Sequence, residues 1–265
     1  MRPNVLREKL KSGEPTFSTH IHTVWPSVVE AIGHTKMFDY VEFVAEYGPY
    51  TLHDLDNLCR AAEVVGIDMM IKIDYDTHQF VAQKAIGSGF GSVLFADCHN
   101  VEEAKHCVLS VRPDTLTDGG YHGVGTRRFT YMGYGGSQDY VEALRDIVVM
   151  LMIEKQGAVD ELEDILKIPG VDMVQWGPVD YSMNVGKAGQ RNAPEIKETE
   201  KYVFETCIKH GVRPRVEIGS PADAKPYLDM GVKDFSLGTD LFILYQWLRD
   251  NGKALRELVS AAAGN

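Results

Sequence analysis

Short runs of apolar residues alternate along the chain with longer segments in which apolar positions recur every three or four residues. The runs include FSTHIH (17–22), DMMIKI (68–73), GSVLF (91–95), IVVMLMI (147–153) and VDMVQW (171–176). Runs of this length are typical of buried strands, and the longer spacing is typical of amphipathic helices. About seven or eight strand–helix units follow one another without a linker or an internal repeat. This order predicts parallel strands joined by right-handed helical crossovers.

The remaining strands are predicted over 38–45, 215–218 and 234–237. Helices are predicted over 4–12, about 25–33, 51–66, about 77–86, 100–110, 140–146, 160–167, 193–210, 220–230 and 241–263. The fold class is α/β, and we predict a single (β/α)₈ barrel domain over 1–265 with an N-terminal helix. The chain length suits such a barrel. An open doubly wound sheet usually has a glycine-rich phosphate loop after its first strand, and this chain has none there.

Composition narrows the class of protein. The 265 residues are 44% hydrophobic and 25% charged with a net charge of −11, which is ordinary for a globular domain with a large core. The chain has no cluster of Lys and Arg, which argues against a nucleic-acid or membrane partner. No apolar run approaches the roughly 20 residues of a membrane helix. Four cysteines without a CxxC pair predict free thiols and a cytoplasmic location, and the charged N-terminus does not resemble a signal peptide.

Two carboxylates come directly after buried apolar runs. Glu154 ends the run 147–153, and Asp180 follows the strand that stops at Gly177-Pro178. A carboxylate in such a place must be hydrated, paired or bound to a metal, and the carboxyl ends of barrel strands form the catalytic face. We predict that Glu154 and Asp180 converge on one divalent cation, Mg²⁺ or Mn²⁺, with Co²⁺ as an alternative. The competing interpretation is two solvated acids.

Other polar residues fall at predicted strand ends. His20 and His22 share one face of a strand, and they are either site residues or one core and one surface histidine. Lys72 lies inside an apolar strand and needs an anionic partner, which is a barrel carboxylate or a substrate carboxylate; a Schiff base is a third role. The Gly- and Tyr-rich region 112–139, which carries His122, is predicted to be an ordered active-site loop.

Several segments resemble the metal-dependent 2-oxo-acid aldolases of the HpcH/HpaI type, over nearly the whole chain. They are FDYVEFVAEYGP (38–49), YHGVG (121–125), MIE (152–154), GVDMVQWGPVDYSMNVG (170–186) and LGTD (237–240). The resemblance implies a (β/α)₈ barrel with Glu154 and Asp180 as the metal ligands. It also implies that backbone N–H groups around Gly177, Pro178 and Val179 hold the substrate carboxylate. The expected assembly is a homo-oligomer, a hexamer or a trimer, in which the last helix contacts a neighbouring subunit.

The chain departs from the family pattern in its acid–base residues. The usual histidine base after the second strand is replaced by Tyr47, and its acidic partner by Val44. The family arginine at the end of the third strand corresponds to Lys72, the tryptophan often found after the first strand to His20, and the arginine before GVG to His122. The metal-binding half of the pattern is kept, and the acid–base half is changed.

We therefore predict a carbon–carbon lyase acting on a 2-oxo acid and an aldehyde through a pyruvate-type enolate, which a chelated divalent metal stabilises. In this hypothesis His20 transfers the proton, Tyr47 orients a water or a substrate oxygen, and Lys72 supplies positive charge to the enolate. The predicted substrate contacts are completed by His22, Glu46 and His122.

Two alternatives stay open. One is a metal-dependent decarboxylase or lyase of an oxaloacetate-like acid, and the other is a 2-oxo-acid binding protein without catalysis.

Overall fold

A computed structural model describes residues 3–263, and its eight parallel strands form a closed barrel in chain order. The strands are β1 (Thr16–Ile21), β2 (Tyr40–Val44), β3 (Asp68–Ile73), β4 (Ser92–Phe95), β5 (Val148–Ile153), β6 (Met173–Trp176), β7 (Arg213–Ile218) and β8 (Asp234–Thr239). The helices are α1 (Val5–Ser12), α2 (Pro26–Thr35), α3 (Leu52–Val65), α4 (His78–Ser88), α5 (Val101–Val111), α6 (Gln138–Arg145), α7 (Gln156–Asp160), α8 (Leu162–Ile165), α9 (Pro178–Asn184), α10 (Pro194–Lys209), α11 (Lys225–Asp229) and α12 (Asp240–Ala263). The predicted (β/α)₈ barrel with an N-terminal helix is confirmed. Within residues 3–263, no helix has the length and apolar character needed to span a bilayer.

Successive side chains on each strand point alternately toward the surrounding helices and toward the barrel axis. Several inward positions near the strand starts are apolar, and they include Met70, Val148 and Met150. Leu6 of α1 packs into the same cluster. The backbone N–H of Val5 donates to Asp68 at the start of β3, with an N···O distance of 2.6 Å. Helix α1 therefore closes the N-terminal end of the barrel.

Five inward positions nearer the strand ends are polar instead. His20, Glu42, Lys72, Gln175 and Arg215 are all at least 93% buried at this level. Barrel interiors are usually filled by branched apolar side chains, and a buried charge is costly unless it is paired. The polar upper layer therefore marks the part of the barrel where function outweighs simple packing.

The region 112–137 lies at the other end of the barrel. It connects α5 to α6 and so precedes β5, which places it at the N-terminal end of the strands. Arg128 donates to the carbonyl of Ser88 at the end of α4 (3.0 Å) and pairs with Glu63 (2.6 Å). The loop is held in place as predicted, but the prediction that it lines the active site is wrong for the barrel of its own subunit.

Helix α12 has no buried side chain. Its contacts are concentrated on β1 and β8. The large apolar side chains that it exposes are Leu241, Phe242, Ile243, Leu244, Tyr245, Trp247, Leu248, Leu255, Leu258 and Val259. So long an exposed apolar surface is typical of an interaction site.

Candidate active site

Glu154 lies at the C-terminal mouth of the barrel, one residue beyond β5, and is 2% exposed. Strand alternation directs it inward, as it does Met150 and Met152. Its Oε1 accepts a hydrogen bond from the backbone N–H of Asp97 (2.8 Å). Asp97 has a φ of +57°, an uncommon conformation outside glycine that orients this N–H. Lys155 pairs with the Asp97 carboxylate at 2.5 Å and so neutralises a second acid beside Glu154.

Gly177 makes room for the Glu154 carboxylate. A β-carbon on Gly177 would lie 2.2 Å from Oε2 of Glu154, far inside van der Waals contact. Pro178 then begins α9, at a helix position where a missing N–H does no harm. Asp180 lies in the first turn of this helix. The sequence reasoning placed Asp180 after a strand but did not predict the helix that carries it.

The electrostatics around Glu154 suit a bound cation. Burial raises the pKa of Glu154 to about 7, and the nearby charges of Asp180 and Asp97 act in the same direction. The Asp97 N–H and the Lys72 ammonium oppose the rise without cancelling it. Among residues 3–263, no group of three His, Cys, Asp or Glu is arranged to enclose a metal. A pair of carboxylates with open positions fits Mg²⁺ or Mn²⁺, which keep waters or substrate oxygens as further ligands.

Lys72 projects from β3 into the barrel mouth and is 7% exposed. Its Nζ lies 2.6 Å from a carboxylate oxygen of Glu46, 3.5 Å from the hydroxyl of Tyr47 and 5.0 Å from the centre of the Tyr47 ring. Burial acts to lower the pKa of Lys72, but the charge of Glu46 outweighs it and the net pKa is raised. The side chain is therefore a fixed ammonium, which disfavours a Schiff base because that chemistry needs the free amine.

His22 follows β1 and packs edge-on against Tyr47, with 5.6 Å between the ring centres. Its backbone N–H donates to Asp240 at the start of α12 (2.9 Å), which ties the loop after β1 to the last helix. Burial lowers the pKa of the His22 imidazole. Gly48 allows the two loops to approach, because a β-carbon there would lie 2.5 Å from the carbonyl oxygen of His22.

His20 lies inside the barrel between two carboxylates. Its Nε2 is 3.4 Å from Glu42 and its Nδ1 is 3.3 Å from Glu217. Burial alone would lower the pKa of His20, but the charges of Glu42 and Glu217 outweigh it and the net pKa is raised. Burial likewise opposes the change at Glu217, where the charges of His20 and Arg215 lower the pKa to about 2.

Arg215 completes this arrangement and is fully buried. Its Nη2 pairs with Glu42, and its Nε donates to the amide oxygen of Gln175 (2.7 Å). The amide nitrogen of Gln175 in turn faces Glu217 at 3.4 Å. These contacts close a circuit of five side chains, called here the polar ring: His20, Glu42, Arg215, Gln175 and Glu217.

Most of the residues predicted for the site lie around the barrel mouth. They are His20, His22, Glu46, Tyr47, Lys72, Glu154, Gly177, Pro178, Val179 and Asp180. His122 lies apart, in the 112–137 loop, where its ring packs against Tyr140 with 6.2 Å between centres. Its backbone pairs with Arg112, which binds the carbonyl of Ile147 ahead of β5. Burial lowers the pKa of His122 to about 4, which suits a neutral core histidine.

The sequence reasoning missed Glu42, Arg215, Gln175 and the contribution of Asp97. Two signals were present in the printed sequence. Glu42 interrupts the otherwise apolar strand YVEFV, and Arg215 lies inside RPRVEI. Opposite charges at inward positions of two strands indicate a buried pair.

Comparison with known proteins supports the resemblance found in the sequence. A family model described as HpcH/HpaI aldolase/citrate lyase matches residues 26–246. A hydroxypyruvate/pyruvate aldolase from Paraburkholderia phytofirmans is 24% identical over 262 residues, which cover 97% of this chain and 98% of that protein.

Solved structures share the fold, and two of them illustrate the similarity. The crystal structure of an HpcH/HpaI aldolase from Desulfitobacterium hafniense DCB-2 has a TM-score of 0.85 at 21% identity, covering 96% of this chain and 98% of that one. A citrate lyase beta subunit from M. tuberculosis, complexed with oxaloacetate and magnesium, has a TM-score of 0.53 at 11% identity, covering 86% and 93%. Because the family model spans well over half of its length, this chain belongs to the HpcH/HpaI aldolase/citrate lyase family, and the predicted class of carbon–carbon lyase is confirmed with it.

Proposed function

We propose that the protein is a divalent-metal-dependent aldolase that forms or cleaves a 2-oxo acid through a pyruvate-type enolate. The observation that carries the proposal is the buried Glu154 carboxylate, which shares the barrel mouth with Asp180 and has room only because residue 177 is glycine. The ammonium of Lys72 lies near enough to Glu154 to influence its pKa. Two acids and one fixed cation around a single opening suit a substrate with adjacent carboxylate and carbonyl oxygens.

Glu154 and Asp180 are the residues that would hold the cation. A bound divalent ion would act as a Lewis acid on the 2-oxo acid. Its positive charge would offset the burial, and the negative charges of Asp180 and Asp97, that raise the pKa of Glu154. Mg²⁺ and Mn²⁺ are the proposed ions, because both accept carboxylate oxygens and leave positions for substrate. Asp97 keeps Glu154 oriented through its backbone N–H, and such outer contacts usually govern metal affinity.

The other residues at the mouth would bind and orient substrate. Lys72 supplies a positive charge where negative charge develops on the oxo-acid oxygen, and Glu46 fixes its position at 2.6 Å. The hydroxyl of Tyr47 remains a neutral donor, because burial raises its pKa. His22 limits the movement of the Tyr47 ring. His20 is proposed to move the proton.

Backbone groups after β6 are proposed to hold the substrate carboxylate. Pro178 has no N–H, and the N–H of Gly177 already donates to the carbonyl of Ile153 (3.2 Å). The N–H groups of Val179 and Asp180 lie in the first turn of α9, where a helix offers them no acceptor. These two are therefore the proposed donors, and Pro178 would set their direction.

The relative from Paraburkholderia is named a hydroxypyruvate/pyruvate aldolase. We propose pyruvate and hydroxypyruvate as the nucleophilic substrates and a small aldehyde as the partner. The experiment is turnover of a panel of aldehydes with each acid, in the presence of Mg²⁺, Mn²⁺ or Co²⁺ and after chelation. Activity should require a metal and should fall sharply in Glu154→Gln, His20→Ala and Lys72→Met. The exposed Lys105→Met is the matched control. Metal-independent turnover, or unchanged rates in both His20→Ala and Lys72→Met, would reject the assignment.

A second candidate is a metal-dependent decarboxylase or lyase of an oxaloacetate-like acid. The citrate lyase subunit from M. tuberculosis favours it, since that structure is a complex with oxaloacetate and magnesium. Release of pyruvate from oxaloacetate without any aldehyde requirement would identify it. Binding of metal and oxalate by calorimetry, without turnover of any substrate, would identify the non-catalytic alternative.

We also propose a homo-oligomer, a hexamer or a trimer, in which α12 packs on a neighbouring subunit. The exposed apolar side chains of α12 support this arrangement. A cytoplasmic location is proposed as well, since all four cysteines are buried free thiols and so do not need an oxidising compartment.

A further inference from the structure

Both ring nitrogens of His20 face carboxylate oxygens, at 3.4 Å on the Glu42 side and 3.3 Å on the Glu217 side. A neutral imidazole has one N–H and one lone pair, so one carboxylate would then face a lone pair. Only the imidazolium can offer a hydrogen to both. His20 is 4% exposed, and its Nε2 makes no hydrogen bond of normal geometry with any described residue, so its contact with Glu42 is an ionic one. The two ion contacts therefore decide its protonation state.

The carboxylate on the Nε2 side is held rigidly. Glu42 is fully buried and is paired with the guanidinium of Arg215, which also donates to Gln175 (2.7 Å) and to the hydroxyl of Tyr40 (3.2 Å). This carboxylate cannot leave, so Nε2 has no route to substrate. A buried carboxylate behind an imidazole is also the arrangement that orients the ring and stabilises its cation in other acid–base sites.

The carboxylate on the Nδ1 side is different. The Glu217 side chain is about half exposed, and it lies one alternation above Arg215, toward the mouth. It is the end of the polar ring that substrate or water can reach. A proton on Nδ1 can therefore leave toward the opening, whereas the proton on Nε2 is retained.

We propose that His20 is an imidazolium in the resting site and gives its Nδ1 proton to the oxygen of the electrophile as the carbon–carbon bond forms, with Glu42, Arg215, Gln175 and Glu217 as its positioning residues. This inference rests on the proposed aldolase function. It makes the expected role of His20 in proton transfer more specific, because the resting residue is an acid and not a base.

The step balances without another reactant. The electron pair of the enolate carbon forms the new bond to the aldehyde carbon, and the carbonyl π pair moves onto the aldehyde oxygen. That oxygen takes the Nδ1 proton and becomes a hydroxyl, which leaves His20 neutral. Because His20 is already protonated when the enolate forms, the proton lost from the 2-oxo acid passes to water at the open mouth. A proton from solvent restores the imidazolium after the new bond has formed. Cleavage runs in reverse and requires neutral His20.

The charged and titratable groups that face His20 are Glu42 from β2, Arg215 and Glu217 from β7, and His22 beyond the end of its own strand. Burial and Arg215 act to lower the pKa of His20, but the charges of Glu42 and Glu217 outweigh them and raise it. Removing the Glu217 charge should therefore lower the pKa of His20. Glu217→Gln is the preferred variant, because it is at the accessible end of the ring and keeps the side-chain shape.

The protonation state can be measured without turnover. Protein labelled with ¹⁵N-histidine is titrated from about pH 5 to about pH 9, and the His20 signals are assigned by their loss in His20→Asn. In wild type, both ring nitrogens should remain of imidazolium type above the ordinary histidine pKa of about 6.5. Glu217→Gln should lower the midpoint by about one pH unit or more, and Glu198→Gln, an exposed carboxylate on α10, should leave it unchanged. A neutral His20 at about pH 7, or a midpoint that Glu217→Gln does not move, would overturn the inference.

Turnover tests the donor role. The rate of bond formation should fall, and that of cleavage should rise, as pH increases through the His20 midpoint, and Glu217→Gln should shift both limbs downward with that midpoint. If the pH dependence of both rates is the same in wild type and in Glu217→Gln, the donor role is rejected, and the proposed aldolase function is not affected. If wild type turns over no substrate, the donor role falls with the proposed function, while the ¹⁵N titration still decides the resting charge.

Discussion

Gly177 and Glu154 approach each other so closely that a single methyl group on Gly177 would collide with the Glu154 carboxylate, at 2.2 Å from Oε2. The backbone of Gly177 has a φ of −109°, which other residues also adopt. The need for glycine here is therefore steric and not conformational. It comes from the space that Glu154 occupies at the barrel mouth.

Gly177→Ala should displace the Glu154 carboxylate while leaving the backbone intact. We expect Mn²⁺ affinity to fall by about 10-fold or more, as when contacts that orient a ligand are disturbed, with a matching loss of turnover at limiting metal. Calorimetric titration of Mn²⁺ measures this directly. The control is Gly123→Ala, which has open space around the added methyl group. Equal Mn²⁺ affinity in wild type and Gly177→Ala would show that Glu154 does not bind the metal.

Lys72→Met removes the ammonium that faces the proposed enolate and keeps the length of the stem. Loss of one preorganised electrostatic contact commonly lowers kcat by about 100- to 1,000-fold, and we expect a reduction of that size. Lys72→Arg keeps the charge but not the compact head group, so part of the activity should survive. Steady-state kinetics on a 2-oxo acid and an aldehyde provide the comparison. A rise in KM with kcat unchanged would assign Lys72 to substrate binding.

Breaking the Glu42–Arg215 pair should be more harmful than removing both partners. Arg215→Met removes the guanidinium that pairs with the buried Glu42 carboxylate, and breaking a buried pair in this way typically costs about 3–5 kcal/mol. The double variant Glu42→Leu with Arg215→Met should recover most of that free energy of unfolding, since apolar replacements of buried pairs are often neutral. Denaturant titrations of the two single variants and the double variant give the coupling. Additive losses would show that the pair is not the interaction that matters.

His20 should stabilise the fold in a pH-dependent way. Its pKa is raised in the folded state, so its contribution is fully present below the unfolded value of about 6.5 and is lost as pH rises through the folded value. The difference in unfolding free energy between wild type and His20→Asn should therefore be largest near pH 6 and shrink toward about pH 9. A difference that is constant over this range would mean that His20 contributes by packing and not by charge.

The exposed face of α12 predicts a concentration-dependent assembly. Trp247→Glu places a charge on this face, where Trp247 is 62% exposed in one subunit. We expect light scattering to show wild type as a hexamer or trimer and the variant as a smaller species, with lower thermal stability. Glu257→Gln on the same helix is the control. A monomeric wild type at micromolar concentration would contradict the proposed contact.

The sequence was sufficient for the barrel and for the placing of Glu154, because a carboxylate directly after a buried strand has few explanations. It was not sufficient for His122. The side of a barrel on which a loop lies depends on whether the loop follows a strand or a helix, and a high content of Gly and Tyr carries no information on this. The region in fact follows α5, so it reaches the N-terminal end.

Helix α9 was missed for a related reason. Gly177-Pro178 was interpreted as the end of a strand, although the same proline favours the first turn of a helix. The sequence shows a charged residue inside each of two strands, but it does not show that the two residues pair in the polar ring. Glu42 and Arg215 lie on β2 and β7, which are not neighbours, and they meet only across the interior of the closed barrel.

The closure of the polar ring has an evolutionary consequence. Each member satisfies two others, so replacing one alone leaves a buried charge or amide without its partner. Glu42, Gln175, Arg215 and His20 should therefore be inherited as a block, with strong epistasis among them, whereas Glu217 at the accessible end can vary more freely. A chimaera that takes β1 and β2 from a relative with an apolar interior and β6 and β7 from this chain should fold poorly. Joint presence of the four residues would then identify other sequences of this type.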